Sequence, residues 1–230
     1  MRLAFISDIH GNLKALESAL KQIKADEIYC LGDIVDRYPD SNKCIELVRK
    51  YCKATVLGNH DIFSAKYGYF ELSAAKRTPD VSKGEHLDPE LYQEKLTAEN
   101  QKYLQNCKLE MELGDLFLAH TLHDARFEPW QYLDNEENAF YGFGLLKKKI
   151  AVIGHTHIPK IFEEEKLEKD AYEITKHELK TDKLVLEIKE NRRYIMDAGS
   201  IGYCLDDETK TTGHYGIIND GRLEIHRFRI

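Results

Sequence analysis

Histidine and aspartate recur in five short clusters, each directly after an apolar run that predicts a β-strand. Neutral imidazole nitrogens and carboxylate or amide oxygens suit divalent first-row metals. The candidates are too many for one ion, but two neighbouring ions that share a carboxylate would use them all. The clusters are Asp8-x-His10, Gly32-Asp33-x-x-Asp36, Gly58-Asn59-His60-Asp61, His120 and Gly154-His155-Thr156-His157.

The spacing of these residues predicts how they share the ions. Asp33 is the candidate bridge, because it ends the central strand between two other clusters. Asp8 and His10 lie two residues apart just past a strand, so both can reach one ion as the chain turns. His155 and His157 have the same spacing on a later loop.

Five further residues complete the predicted site. Asn59 would supply a neutral carbonyl oxygen, and His120 would come from a different sheet. His60 follows Asn59 on backbone predicted to be extended, so its side chain faces the other way, towards substrate. There it could donate a proton to a departing oxygen, oriented by Asp36. Arg37 adds a bidentate donor for phosphate oxygens.

Strands and helices alternate in the first quarter of the chain. The predicted strands are 2–7, 27–31 and 54–57, and the predicted helices are 12–24 and 40–51. This alternation predicts β-α-β units and a parallel sheet. Ligands of such sheets bind beyond the carboxyl ends of the strands, where the first three clusters lie.

The rest of the chain predicts a helical excursion at 64–106 and a charged insertion at 163–193, within a single domain over 1–230. The insertion is expected to begin as a solvated loop and to end in a strand at 184–188. The sequence Asn219-Asp220-Gly221 predicts a hairpin turn. The other predicted elements are a helix at 136–149 and strands at 109–113, 116–119, 150–153, 194–197, 215–218 and 223–230.

Composition limits the partners. The net charge of −7 argues against extended nucleic-acid binding, which needs a basic stripe. A small phosphorylated substrate remains compatible, because bound cations reverse the local field. No apolar run is long enough for a membrane span or an export signal, and the five cysteines form no C-x-x-C pair. A cytoplasmic protein with reduced thiols is expected, with its oligomeric state left open.

In this order, the clusters D-I-H, G-D-I-V-D-R, G-N-H-D, H-T-L-H and G-H-T-H resemble the calcineurin-like metallophosphoesterase superfamily over residues 3–202. The D-A-G-S-I-G segment at 197–202 and the small size resemble its compact bacterial and archaeal branch, which includes phosphodiesterases and dinucleoside tetraphosphatases. The resemblance implies a four-layer α/β/β/α sandwich with two mixed sheets. It also implies metal-dependent hydrolysis of a small phosphodiester, nucleotide or dinucleoside polyphosphate.

Carried over by position, the resemblance assigns two divalent ions, manganese first, with iron, cobalt, nickel or zinc as alternatives. One would be held by Asp8, His10, Asp33 and His157, and the other by Asp33, Asn59, His120 and His155. A metal-bridging hydroxide would attack phosphorus in line. His60 matches the catalytic histidine of the family, and Asp36 its partner.

Three positions depart from the family pattern. Tyr38 stands where glycine usually follows the arginine, Asp197-Ala198 replaces Asn-Pro, and Thr121-Leu122-His123 follows His120 where Gly-Ser is usual. The first departure concerns the role of Arg37, and the third concerns contacts to substrate.

Other interpretations remain open. His60 and His120 could be packed or hydrogen-bonded histidines, and Arg37 could be a solvated surface arginine. His123 and Arg126 are predicted to be ordinary polar residues. The whole chain could be an inactive scaffold of the same fold, or, among enzymes, a nuclease or a protein phosphatase. The complete ligand set and His60 favour the enzyme.

Overall fold

Two mixed six-stranded sheets form the centre of the computed structural model, which describes residues 1–67, 95–122, 132–168 and 171–230. Strands are numbered along the chain. The first sheet contains, in spatial order, β3 (Ala54–Thr55), β2 (Glu27–Cys30), β1 (Leu3–Ile6), β11 (Thr212–Asn219), β12 (Arg222–Arg229) and β9 (Lys183–Glu187). The second contains β4 (Glu110–Leu113), β5 (Leu116–Ala119), β6 (Ile150–Ile153), β10 (Arg192–Asp197), β7 (Lys160–Lys166) and β8 (Tyr172–Glu178).

The helices of the described residues cover the outer faces of these sheets. They are α1 (Leu13–Gln22), α2 (Ser41–Tyr51), α3 (Asn59–Tyr67), α4 (Ala98–Asn106) and α5 (Glu136–Leu145). The first four pack in one apolar cluster with the first sheet, and α5 packs in another with the second sheet. The predicted four-layer α/β/β/α sandwich is therefore confirmed.

Burial on both faces explains the apolar runs that predict strands. Leu3 and Phe5 of β1 enter the cluster between the sheets, whereas Ala4 and Ile6 enter the cluster beneath the helices. A strand covered on both sides has no polar face, so its sequence does not alternate. Because β1, β2 and β3 are parallel, their carboxyl ends lie at one edge of the first sheet. The carboxyl ends of the parallel strands β5 and β6 likewise lie at one edge of the second sheet.

The predicted hairpin turn between the last two strands is confirmed. Strands β11 and β12 are antiparallel, with Asn219 opposite Arg222. Asp220 and Gly221 have φ values of 48° and 72°, as the central residues of a mirror-image turn require.

The solvated loop predicted at the start of 163–193 is wrong. Strands β7 and β8 form an antiparallel hairpin there, and Glu163 and Glu164 are only 4% and 5% exposed. Their carboxylates accept hydrogen bonds from Arg192 at 2.7 Å and Arg193 at 2.6 Å on the neighbouring strand. The charge run is satisfied across strands, so it does not mark a loop.

Several other predicted boundaries shift. The predicted helix 136–149 ends at Leu145, and the predicted strand 54–57 is reduced to Ala54–Thr55. Residues 68–94 of the predicted helical excursion at 64–106 lie outside the described residues. Within the described ranges, every helix is too short or too polar to cross a membrane.

Replacing Phe162 tests whether the β7–β8 hairpin belongs to the core. Phe162 is fully buried against α5, so Phe162→Ala should lower the free energy of unfolding by about 3–5 kcal/mol. Val185→Ala, at a side chain that is 45% exposed on β9, is the control and should change it by less than about 0.5 kcal/mol. Denaturant titration of both variants measures the difference, and equal small losses would contradict a core role for the hairpin.

Candidate metal centre

The two sheets bring the five clusters to one place. Asp8, Asp33 and Asn59 follow β1, β2 and β3, while His120 and the His155 loop follow β5 and β6. Backbone hydrogen bonds join neighbouring loops, from Asp8 N to Gly32 O at 3.0 Å and from His10 N to Asp33 O at 2.9 Å. The predicted ligands therefore meet, although they are far apart along the chain.

Seven predicted site residues have left-handed backbone conformations, out of nine such non-glycine residues in the described chain. They are Asp8, His10, Asp33, Asp36, Arg37, His155 and His157, with φ between 51° and 78°. Each such residue costs on the order of 1–3 kcal/mol, which the surrounding packing must offset. Concentration of this strain in one place is typical of a functional site.

Two glycines of the clusters allow the carboxylates to sit against backbone. A Cβ on Gly58 would overlap the Asp33 carboxylate. A Cβ on Gly154 would overlap Ser7 Oγ and lie 2.5 Å from Asp8 Oδ2. These positions must be glycine because the candidate ligands occupy the space that a side chain would need.

Three imidazoles are oriented by backbone carbonyls. The Nδ1 atoms of His10, His120 and His157 lie 3.2 Å from Val35 O, 2.8 Å from Leu31 O and 2.7 Å from Tyr203 O. A carbonyl can only accept, so each Nδ1 carries a proton, and Nε2 is the ring nitrogen that faces the centre. Metal-binding histidines are commonly oriented in this way.

The candidate ligand atoms form two groups that share Asp33. One group contains Asp8, His10, Asp33 and His157, and the other contains Asp33, His120 and His155. Within each group the ligand atoms lie within 4.8 Å of one another. This grouping reproduces the predicted sharing of Asp33, and the role of Asp33 as a bridge stays a prediction.

Several buried acceptors at the centre face one another, so the residues fit divalent cations. Nε2 of His10 lies 3.2 Å from Nε2 of His157, which lies 3.1 Å from Asp8 Oδ1. Asp8 Oδ1 and Asn59 Oδ1 are buried and have no hydrogen-bond donor among the described residues. Facing acceptors repel unless a proton or cation lies between them. A divalent ion would satisfy all of them at once.

The pKa values show how strongly the carboxylates attract positive charge. Burial raises the pKa of Asp8 and Asp33, but the imidazoles of His157 and His120 hold both below the ordinary value. Burial lowers the pKa of His120, yet Asp33 and Asp8 raise it to about 10. Burial and the neighbouring His120 lower the pKa of His155 to about 4. Without a metal, His120 therefore carries a proton between the two carboxylates.

His60 lies beside this centre, with Asp36 behind it. Its Nδ1 lies 2.7 Å from Asp36 Oδ2, and its Nε2 lies 3.9 Å from Asp33 Oδ2. Burial lowers the pKa of His60, but the Asp33 charge and the Asp36 hydrogen bond raise it above the ordinary value. The predicted extended backbone is wrong, because Asn59 and His60 open α3. The His60 amide instead donates to Asp33 Oδ1 at 3.0 Å, which places the residue at the centre.

Arg37 lies at the rim of the centre, half-buried. Its guanidinium carbon is 4.5 Å from the centroid of the Tyr203 ring, within cation–π distance. Its predicted contact with phosphate stays a prediction. His123 and Arg126 lie outside the described residues.

Asp61 is not among the predicted site residues, yet it connects two of the loops. Its Oδ1 accepts from Ile34 N at 2.9 Å, and its Oδ2 accepts from Gly58 N at 3.1 Å. Burial and the nearby Asp33 raise its pKa to about 7. The sequence feature that could have indicated Asp61 is its position in the G-N-H-D cluster.

A buried network beneath the His155 loop also lacked a sequence prediction. Thr156 Oγ1 donates to Asp197 Oδ2 at 2.6 Å and accepts from Lys160 Nζ at 2.7 Å. Lys160 is 3% exposed and lies 3.5 Å from the Asp197 carboxylate. Asp197, one of the departures from the family pattern, is thus accommodated by a lysine that shares its hydrogen-bond network.

Comparison with known proteins agrees with this geometry. A sequence model of the calcineurin-like phosphoesterase family matches residues 1–159, which include all five clusters. An uncharacterised protein of Methanocaldococcus jannaschii is 31% identical over 99% of this chain and 86% of its own length. The symmetrical bis(5'-nucleosyl)-tetraphosphatase of Erwinia tasmaniensis is 40% identical, but over only 27% of this chain and 25% of its own. The metallophosphoesterase from Sphaerobacter thermophilus has a TM-score of 0.76 at 29% identity, covering 100% of this chain and 89% of that one.

Manganese binding should displace the proton on His120. At about pH 8, titration of the metal-free protein should release about one proton from that ring, because metal needs the Nε2 lone pair. Calorimetry in buffers of different ionisation enthalpy measures this release, and the apparent affinity should rise with pH towards the His120 pKa of about 10. His120→Gln is the control and should lose this proton release. Identical heats in all buffers for the wild type would contradict the assignment.

Proposed function

The chain belongs to the calcineurin-like phosphoesterase family of metal-dependent phosphoester hydrolases, and we propose that it hydrolyses a small phosphodiester, nucleotide or dinucleoside polyphosphate at two divalent ions. The observation that carries the proposal is the pair of ligand groups that share Asp33. The partial similarity to symmetrical bis(5'-nucleosyl)-tetraphosphatases supports the third substrate class. Manganese is the proposed metal, with iron, cobalt, nickel or zinc as alternatives.

The proposed ligands come from both sheets. Asp8, His10, Asp33 and His157 would hold one ion, and Asp33, Asn59, His120 and His155 the other. When bound, the ions would lower the pKa of a water molecule and neutralise charge on the transferring phosphoryl group. The carbonyls behind His10, His120 and His157 keep each Nε2 aimed at the centre.

His60 is the proposed proton donor to the leaving oxygen. The Asp36 carboxylate accepts from Nδ1, so the second proton of the imidazolium is on Nε2, the atom on the side of Asp33. The raised pKa of His60 favours the protonated ring near neutral pH. Asp36 thus has two roles, to orient the ring and to stabilise its charge.

Arg37 would bind a non-bridging phosphate oxygen. Its guanidinium fork suits phosphate, and it forms no ion pair with the described residues. The net charge of −7 favours a small substrate over a long polyanion, which would be repelled away from the centre.

A substrate panel tests the proposal. Manganese-loaded protein, with a chelated control, would be assayed on bis-p-nitrophenyl phosphate, p-nitrophenyl phosphate, a cyclic nucleotide and diadenosine tetraphosphate. We expect manganese-dependent turnover that chelation abolishes and added manganese restores. A protein that binds metal but hydrolyses none of the four would sink the proposal and favour the inactive scaffold.

Removing the proposed proton donor should slow chemistry without emptying the centre. His60→Ala should lower kcat by about 10²–10⁴-fold, the usual contribution of a general acid. Bound manganese, measured by elemental analysis, should stay at the wild-type level because His60 is not a proposed ligand. His177→Ala on β8, far along the second sheet, is the control. A wild-type rate for His60→Ala would contradict the role.

Changing Asp36 should alter the pH dependence. The protonated ring is the active form, so activity falls as pH rises through the pKa of His60. Asp36→Asn removes a hydrogen bond and a charge that raise this pKa, so the alkaline limb of kcat should move to lower pH. A pH–rate profile of both proteins measures the shift. An unchanged alkaline limb would mean that another group sets it.

A further inference from the structure

Two cationic side chains converge on one tyrosine at the rim of the metal centre. The Arg37 guanidinium carbon is 4.5 Å from the Tyr203 ring centroid, and Lys210 Nζ is 4.8 Å from it. Like charges repel, so gathering both on one ring requires either the ring's negative face or an anion beside them. The negative face of the Tyr203 ring offsets part of the repulsion between the two cations.

Tyr203 connects this cationic pair to the candidate ligands. Its carbonyl accepts from Nδ1 of His157 at 2.7 Å, and its ring centroid lies 5.7 Å from that of His157. The ring of His10 is 6.4 Å away and meets it edge-on. The cations therefore lie beside the proposed ion held by Asp8, His10, Asp33 and His157.

Neither cation has a carboxylate partner in the part of the chain that the structure describes. Among the described residues, no carboxylate forms an ion pair with Arg37 or Lys210. Arg37 Nε is buried without a hydrogen-bond partner in the described chain. Lys210 Nζ donates to the Cys204 carbonyl, which leaves two of its three donors. A buried, unmatched guanidinium nitrogen is costly unless a ligand completes it.

The backbone holds both cations in place. Arg37 and Lys210 have φ values of 64° and 53°, a left-handed backbone conformation that residues other than glycine rarely adopt. The Asp207 carboxylate organises the loop that carries Lys210, accepting from the amides of Thr209, Thr211 and Thr212 at 2.9–3.0 Å. Lys210 is therefore a positioned group and not a freely moving surface lysine.

We infer that Arg37, Tyr203 and Lys210 form a second anion subsite, which binds a phosphoryl group adjacent to the one at the metal centre. The preferred substrate then carries at least two linked phosphoryl groups, as nucleoside and dinucleoside polyphosphates do. Arg37 and Lys210 contact the second group, and Tyr203 positions the two cations. A substrate with a single phosphoryl group would use the metal centre and leave Lys210 idle. This inference rests on the proposed function and narrows its substrate class.

A ratio of activities isolates the subsite. In Lys210→Met, the ratio of kcat/KM on diadenosine tetraphosphate to that on bis-p-nitrophenyl phosphate should fall about tenfold, as expected for one charge-assisted contact. Lys210→Arg keeps the charge and should keep most of the ratio. Lys50→Met is the matched control, because Lys50 Nζ lies 5.0 Å from the Tyr51 ring on α2, outside the centre. A ratio equal to the wild type in Lys210→Met would overturn the subsite.

Tyr203 variants separate positioning from general damage. Tyr203→Phe keeps the ring and should retain the ratio, whereas Tyr203→Leu should lower it about as much as Lys210→Met does. Equal losses on both substrates in Tyr203→Leu would indicate damage to the His157 carbonyl contact and count against a positioning role.

A binding measurement does not depend on turnover. Calorimetry on the manganese-loaded protein should show the non-hydrolysable methylenediphosphonate binding about tenfold more tightly than methylphosphonate, with the gap lost in Lys210→Met. A protein inactive on every substrate but with this binding difference would refute the proposed function and leave the subsite standing. Turnover without this binding difference, and with the same activity ratio in Lys210→Met as in the wild type, would support the proposed function and refute the subsite.

Discussion

Two carboxylates buried side by side dominate this molecule. Asp8 and Asp33 end adjacent strands of one sheet and are shielded from water. Isolated buried charges of like sign are too costly to keep without compensation. Imidazoles from both sheets face these carboxylates and lower their pKa values by electrostatic attraction. A centre that draws in positive charge so strongly is prepared for cations before any arrive.

Much of the local structure follows from bringing these groups together. The residues with left-handed φ values lie on the short loops directly after the strands, where the candidate ligands meet. The missing side chains of Gly58 and Gly154 leave room for the carboxylates. Backbone carbonyls fix the imidazoles, and Asp61 ties two of the loops together. Stability lost to strain at the centre is recovered in the three apolar clusters around it.

The sequence was informative where chemistry and periodicity coincide. Apolar runs such as Ile150–Ile153 predict strands, and the polar clusters at their carboxyl ends predict a shared edge, so the meeting of the ligands could be predicted from the residues. The four layers were implied by the family resemblance. Ion pairs between residues far apart in the sequence could not be predicted. The charges of Glu163 and Glu164 predict a solvated loop until Arg192 and Arg193 are known to lie on the next strand. The position of His60 beside the centre is predicted for the wrong local reason, because the apolar run before Asn59 favours extended backbone, whereas Asn59 and Asp61 begin a helix. Tyr203 and Lys210 belong to no cluster, and only their arrangement in space draws attention to them.

The match to the family model ends at residue 159, while Tyr203 and Lys210 come more than forty residues later, in the segment before β11. Two of the three members of the proposed subsite therefore lie outside the stretch that carries the proposed metal ligands. Substitutions at Tyr203 or Lys210 would alter the proposed subsite and leave the stretch with the proposed metal ligands unchanged. Relatives that share every metal ligand can therefore differ in their substrates, and the residues around position 203 are where such divergence should accumulate.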